Sequence, residues 1–254
     1  MSRFIPHDCV ARRLNRLAIR PPRVLSCGRL DILKFKFIFK RTLNVFMIAI
    51  IDYNAGNLTS VARAVSHIGF QCLVTSDTGK ILKADRIIFP GVGAAGSAMA
   101  SLKRTGLDSA IADSFRMGTP ILGICLGTQV IMGHSEENDT PCLGIINGLV
   151  RAFRSDKATE NGNRLKIPHM GWNNVVIKKE HPVLSGIDRD DEFYFVHGFY
   201  PDPANTEHVL GTTNYGISFA SVVGFKNLFA TQFHLEKSGR PGLRMLENFC
   251  KWKP

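Results

Sequence analysis

The sequence predicts an α/β fold: a mostly parallel open sheet with helices on both faces, plus an added antiparallel patch. Three observations carry this. Met47–Asp52 (MIAIID), Arg86–Phe89 and Pro120–Ile124 are short apolar runs without polar alternation, the pattern of strands buried on both faces. Segments with helical spacing alternate with them, and that alternation calls for parallel strands joined by crossovers. The second half of the chain is richer in strand-like runs than in helices, which supplies the antiparallel part.

Taken in order, Met47–Asp52 is the first strand. Leu58, Val61, Ala62, Val65 and Ile68 follow at helical spacing, and Gly69 suits the residue after the cap. Gln71–Thr75 is a second strand. Arg86–Phe89 is a third, running into the turn Pro90-Gly91-Val92-Gly93. Leu107–Met117 is read as a helix with Asp108 near its start, Pro120–Ile124 as a strand, and Leu126–Met132 as the next helix. Strands are expected at Asn174–Ile177, Phe193–Val196, His208–Gly211, Gly216–Val223 and Leu228–Phe233. A closing helix runs from Pro241 through Leu243, Leu246, Phe249 and Cys250, with proline in its first turn.

The formal charge of +11 invites a nucleic-acid reading, but its distribution argues otherwise. Residues 1–46 hold eleven lysines and arginines against two acids, a net +9. The remaining twenty-one basic and nineteen acidic residues nearly cancel. We therefore read residues 1–46 as a basic N-terminal extension, either a disordered tail or a mis-assigned start, and residues 47–254 as the folded domain. Too little serine stands in the extension for a transit peptide. Six scattered cysteines form no C-x-x-C pair, so no metal site is expected, and free thiols suit a reducing, cytoplasmic setting. No apolar window is long enough to span a membrane.

The chemistry concentrates at Gly123-Ile124-Cys125-Leu126-Gly127. A nucleophile between glycines at a strand-to-helix turn lets the backbone bend sharply and hold the side chain above the sheet. There the helix N-terminus favours a thiolate, and the N–H of Leu126 points where an oxyanion forms. His234-Leu235-Glu236 follows 109 residues later. In an extended segment His234 and Glu236 share a face, so the imidazole can move a proton while the carboxylate sets its tautomer. Gln129, one helical turn past Cys125, is positioned to present its amide to a ligand. Pro90–Gly93 ends a strand at the sheet edge where open α/β folds bind ligands, and its glycines allow a backbone N–H to reach an oxyanion.

Residues 47–254 resemble a class I, triad-type glutamine amidotransferase. Within that family they are most similar to the glutaminase subunits of imidazole glycerol phosphate synthase, the histidine-biosynthesis branch. The resemblance rests on D-Y-N-x-G-N at Asp52–Asn57, P-G-V-G at Pro90–Gly93, G-I-C-L-G-x-Q at Gly123–Gln129 and S-E-E at Ser135–Glu137. It continues through P-H-M-G-W-N at Pro168–Asn173, Y-F-V-H at Tyr194–His197 and T-Q-F-H-x-E-K-S at Thr231–Ser238. The cysteine and H-x-E motifs are class-wide; the first motif and P-H-M-G-W-N single out the branch.

The resemblance implies a Cys125, His234, Glu236 triad that hydrolyses glutamine through a γ-glutamyl thioester, without a cofactor. It implies oxyanion and substrate contacts from Gly91, Val92, Gly93, Leu126 and Gln129. It also implies that ammonia passes to a separate (β/α)₈ cyclase subunit in a heterodimer, with Asn57, Pro168, Met170, Trp172 and Lys237 near the interface. Two departures stand out. Gly198-Phe199 replaces a hydroxyl residue and tyrosine, and Ala94-Ala95 occupies a position often aromatic.

Three other readings compete with this one. An amidotransferase serving anthranilate or carbamoyl phosphate synthesis is disfavoured by Pro168–Asn173. A catalytically silent regulatory subunit is disfavoured by the intact Cys125, His234 and Glu236. Nucleic-acid binding rests only on residues 1–46.

Overall fold

The first predicted strand is β1 (Ile48–Ile51) of a computed structural model that describes residues 46–154 and 166–254, with the backbone of 159–160 and 163–164. Its four side chains are all buried. Ile48 and Ile50 enter one apolar cluster and Ala49 and Ile51 another, the period of two of a strand covered on both sides. The basic segment read at residues 1–46 lies, up to residue 45, outside the described residues.

Helix α1 (Leu58–His67) buries Val61, Ala64 and Val65, and Gly69 after it takes φ 86°, as expected of a residue following a cap. Strand β2 (Cys72–Thr75) is at the sheet edge, so Leu73 and Val74 are exposed. Helix α2 (Thr78–Leu82) was not anticipated; Asp77 caps it by accepting from the Lys80 N–H. Strand β3 (Arg86–Gly91) runs two residues beyond its expected end.

Helix α3 (Ala95–Thr105) was also unforeseen, its small residues giving a weak periodic signal. It is joined at Gly106 (φ 70°) to α4 (Leu107–Arg116), and β4 (Ile121–Cys125) follows. The helix expected over Leu126–Met132 stops early: α5 spans only Leu126–Val130, because Met132 already begins β5 (Met132–Ser135).

The strands that follow are β6 (Thr140–Pro141), β7 (Ile146–Ala152), β8 (Thr159–Glu160), β9 (Asn163–Arg164), β10 (His169–Asn174) and β11 (Val176–Ile177). They continue with β12 (Glu192–His197), β13 (Phe199–Pro203), β14 (Val209–Tyr215), β15 (Ile217–Phe225) and β16 (Leu228–Thr231). Helix α6 (Gly239–Lys251) ends the fold. The predicted strand Asn174–Ile177 is thus two strands, divided at Val175, which is buried.

The main sheet has the order β11-β14-β15-β16-β4-β3-β1-β2. Its last five strands are mutually parallel, and β15, β14 and β11 extend it with antiparallel pairing. Helices α1 and α6 cover one face through Val65, Leu246 and Phe249; α2, α3 and α4 cover the other through Ile81, Leu102 and Ile111. A second sheet, β13-β7-β5-β6, and the antiparallel pair β10-β12 complete the added part. The C-terminal ends of β1, β3, β4 and β16 therefore meet at one edge, and that edge carries every chemical motif read from the sequence.

Candidate active site

Strand β4 delivers Cys125 at φ 54°, ψ −105°, a conformation that costs a non-glycine residue about 1–3 kcal/mol and persists only where the surroundings impose it. The flanking glycines show what imposes it. A Cβ at Gly123 would stand 2.8 Å from the Cβ of Ala230 on β16, and one at Gly127 would stand 1.8 Å from the carbonyl oxygen of Phe89 on β3. Both strands press on the turn, so a side chain at either position would force a neighbour to shift. Helix α5 behind the cysteine has only five residues. Its macrodipole is correspondingly slight, and what it offers the sulfur is local N–H groups.

Beyond β16 the chain continues through Gln232 and Phe233 to His234. There the backbone N–H donates to the carbonyl of Tyr194 over 3.0 Å. The Ser238 hydroxyl accepts from the Tyr194 N–H and donates to the His234 carbonyl, pinning this segment to β12. The expected extended backbone through Glu236 is not observed: Leu235–Lys237 is a single 3₁₀ turn. That turn, not strand alternation, swings the carboxylate back, so that His234 Nδ1 and Glu236 Oε1 are 2.7 Å apart with both side chains shielded from solvent.

Asn57, which the resemblance put near a partner, is half-buried and donates its amide to the same Glu236 oxygen. Burial pushes the His234 imidazole down, but interaction with the Cys125 sulfur and the hydrogen bond to Glu236 outweigh it, and its pKa is pushed up to about 9. Its Nε2 and Glu236 Oε2 have no hydrogen-bond partner among the described residues.

Gln232, fully buried within the quoted T-Q-F-H-x-E motif but given no role from sequence, donates to the Cys125 sulfur over 3.7 Å. Gln129 does not reach outward with its amide N–H groups. Its Nε2 lies 3.2 Å from Gln232 Oε1 and 3.0 Å from the Phe199 carbonyl. That carbonyl also accepts from His197 Nδ1 at 2.7 Å. His197 Nε2 is therefore the acceptor toward His169 Nδ1 at 3.0 Å, and His169 Nε2 accepts from the Asn173 amide at 3.3 Å. Burial pushes His169 down to about 4 and His197 to about 3, so both rings are neutral. A polar chain thus joins β10 to the Cys125 sulfur.

Gly91 pairs in register with Cys125, and Val92 and Gly93 follow, facing a cavity of about 330 Å³ that Tyr53, Ala94, Ser97 and Leu126 also line. Ala95, the second residue of the Ala94-Ala95 pair, opens α3 with its N–H held by Glu137 Oε2 at 2.6 Å. A Cβ at Gly198 would meet only Ile167, at 4.0 Å, so packing does not demand glycine there. Pro168, Met170, Trp172 and Lys237 are all exposed, Met170 at 62% and Trp172 at 54%. Larger hollows of about 490 and 580 Å³ open around His181 and Tyr200, with none of the residues near Cys125 in their walls.

Against known proteins, the family described as glutamine amidotransferase class-I matches residues 49–252. The imidazole glycerol phosphate synthase subunit HisH of Nitratidesulfovibrio vulgaris (strain DSM 19637 / Miyazaki F) is 49% identical over 208 residues, covering 81% of this chain and 98% of that protein. The subunit of the same name from Neisseria meningitidis serogroup A is 46% identical over 210 residues, covering 80% of this chain and 99% of that protein. The chain is a class-I glutamine amidotransferase of the HisH group.

The fold agrees with that of PurLQS from Thermotoga maritima, with a TM-score of 0.62 at 16% identity over 81% of this chain and 97% of that one. As a class-I amidotransferase the protein is an enzyme, the glutaminase subunit of a synthase in histidine biosynthesis. Among the described residues of this amidotransferase no three His, Cys, Asp or Glu side chains are grouped to hold a metal ion. No helix among them is long and apolar enough to cross a membrane.

Proposed function

We propose that residues 47–254 form the amidotransferase domain and that Cys125, His234 and Glu236 are its catalytic triad. The Cys125 sulfur attacks the carboxamide carbon of glutamine, and the carbonyl electron pair moves onto oxygen. The developing oxyanion takes hydrogen bonds from the Leu126 N–H and from the backbone at Val92 or Gly93. Imidazolium His234 gives its proton to the departing ammonia, leaving a γ-glutamyl thioester. The now neutral ring then takes a proton from water, whose oxygen displaces the sulfur and releases glutamate. Glu236 holds the ring in the required tautomer, and Asn57 holds Glu236. Gly91 and Gln129 shape the substrate wall.

The observation that carries this reading is the constrained cysteine elbow beside a shielded His234–Glu236 pair whose Nε2 is left free. The raised imidazole supports it too: a pKa of about 9 keeps the proton on His234 at neutral pH, where it stands ready for the leaving group.

The ammonia goes to a separate (β/α)₈ cyclase subunit, with which this chain forms a cytoplasmic heterodimer. There it is used to make imidazole glycerol phosphate and an aminoimidazole carboxamide ribonucleotide. Support for the docking face comes from Pro168, Met170, Trp172 and Lys237, an exposed apolar and cationic group beside the site. The Lys237 ammonium lies 5.7 Å from the centre of the Tyr194 ring, against which Trp172 packs edge-on at 5.9 Å. No nucleic acid, membrane, metal or cofactor enters the reaction.

Glutamate release by wild type and Cys125→Ala, with and without the cyclase subunit and its ligand, tests both parts. The expected result is release by wild type, stimulated by the cyclase, and none by the alanine variant. Equal rates for the two proteins sink the mechanism, and indifference to the cyclase sinks the partnership.

A further inference from the structure

Four buried side-chain polar atoms lack a hydrogen-bond partner among the described residues: Tyr53 Oη, His208 Nδ1, His234 Nε2 and Glu236 Oε2. Two of them belong to the triad, where substrate and solvent act. Tyr53 has no part in the chemistry above, yet its hydroxyl lies at the same edge of the sheet.

Its position follows from Gly91. A Cβ built on Gly91 would fall 1.8 Å from Tyr53 Oη and 3.3 Å from the Cβ of Leu126. The Tyr53 hydroxyl therefore fills the space that a side chain would take at Gly91, the residue before Val92, and lies near Leu126; the N–H groups of Val92 and Leu126 are among the oxyanion donors proposed above. Gly91 is itself the register partner of Cys125. The ring is held edge-on against Phe89, centroids 5.3 Å apart, and the Tyr53 carbonyl accepts from the Ser101 hydroxyl at 2.7 Å. Tyr53 also walls the cavity that opens onto Val92, Gly93 and Leu126.

Packing alone does not account for a phenol here. Phenylalanine would fill the same volume without burying an unmade hydrogen bond, which costs on the order of 1–3 kcal/mol. Buried orphans of this kind call for an explanation, and a site awaiting substrate is one. Burial, and then the charge of Cys125, push the Tyr53 pKa well above the usual tyrosine range, so the group keeps a proton that it can donate in a hydrogen bond.

We propose that the Tyr53 hydroxyl is a further oxyanion donor, hydrogen-bonding to the former carbonyl oxygen of glutamine in the tetrahedral intermediate alongside the backbone N–H groups. The bond forms as the sulfur–carbon bond forms and the C=O electron pair moves onto oxygen. No proton is transferred, and the contact weakens when the carbonyl is restored with loss of ammonia. This rests on the glutaminase reading above and adds a side-chain catalytic residue to it.

The test is Tyr53→Phe in the full chain, assayed for glutamate release with the cyclase subunit present. Removing one such donor is expected to lower kcat about 100- to 1,000-fold with KM within about 2-fold of wild type. Glutamine affinity, measured in a Cys125→Ala background, is expected to be the same with and without Tyr53→Phe. The thermal midpoint is expected to hold or rise, because an unsatisfied group has been removed; a purely structural hydroxyl would not give that combination.

A kcat within 2-fold of wild type overturns the proposal. So does a loss of kcat that comes with a matching loss of thermal stability. A wild-type protein that releases no glutamate overturns the glutaminase reading first and this one with it. An active wild type beside an equally active Tyr53→Phe overturns this one alone.

Discussion

Replacing Gly127 with alanine places a methyl carbon 1.8 Å from the carbonyl oxygen of Phe89 and 2.9 Å from its carbonyl carbon. Real Cβ atoms do not come within 3.0 Å of such neighbours, so α5 must back away from β3 by at least about 1.2 Å. The atom struck is backbone in a central strand, and it cannot swing aside as a side-chain tip would. Leu126 and Cys125 sit at the start of α5 and move with it, carrying the proposed oxyanion N–H and the proposed nucleophile. A misplacement near 1 Å costs on the order of 100-fold in rate, and overpacking costs about 1–3 kcal/mol of stability. Alanine's better helix propensity returns at most about 1 kcal/mol.

Gly123→Ala is the internal comparison: its nearest contact is the Ala230 Cβ at 2.8 Å, a deficit of a few tenths of an ångström, so its effects should be clearly smaller. Urea unfolding gives the stabilities, and glutamate release with the cyclase subunit gives the rates. A Gly127→Ala protein with unchanged stability and wild-type kcat, or one less affected than Gly123→Ala, would refute the argument that close approach dictates these glycines.

Asn57→Ala removes the amide donor from a buried carboxylate oxygen, and a hydrogen bond to a charged group is worth about 1.5–3 kcal/mol. Basal kcat should fall about 10-fold or more even without the cyclase; a residue acting only at an interface would spare basal turnover. His234 has a folded pKa raised to about 9 from about 6.5, so its contribution, at most about 3 kcal/mol, is full below pH 6.5 and lost as pH rises through 9. His169 and His197, lowered to about 4 and about 3, contribute above pH 6.5 and lose that stability as pH falls toward those values. Unfolding midpoints from pH 3 to 10 should therefore fall on both sides of about 6.5, with the alkaline limb reduced in His234→Gln. A flat wild-type profile between 6.5 and 9 would contradict the raised pKa.

The parallel half was legible because its strands are covered on both faces. Ile48–Ile51, Ile87–Phe89 and Ile121–Ile124 are apolar at every position, as a strand covered on both faces requires. Helix α1 was readable for the same reason in helical period. Helix α3 was not, since Ala95, Gly96, Ser97 and Ala98 are small and carry little periodic contrast although Met99 and Leu102 are buried. β5 and β13 were missed because each is short and begins within a few residues of another element, where local preference says nothing about pairing. In the site, Cys125 and His234 announced themselves by motif. Gln232 and Ser238 lay within a quoted motif, but an amide or a hydroxyl has no intrinsic reactivity to mark it; only its neighbours in space give it work.

Local chemistry along the chain was enough to name the reactive groups: a thiol between two glycines, a base, a carboxylate, and an edge where parallel strands end. Those are properties of residue type and spacing, which survive without coordinates. Position in three dimensions decided the rest. A 3₁₀ turn, not an extended strand, brings Glu236 to His234. The carbonyl of Phe89 is what forbids a side chain at Gly127. The hydroxyl of Tyr53, seventy-two residues from Cys125 in sequence, fills the space that a side chain at Gly91 would take. Such contacts form between strands and helices that the chain joins only by long crossovers, so no local pattern encodes them, and they exist only once the sheet has assembled.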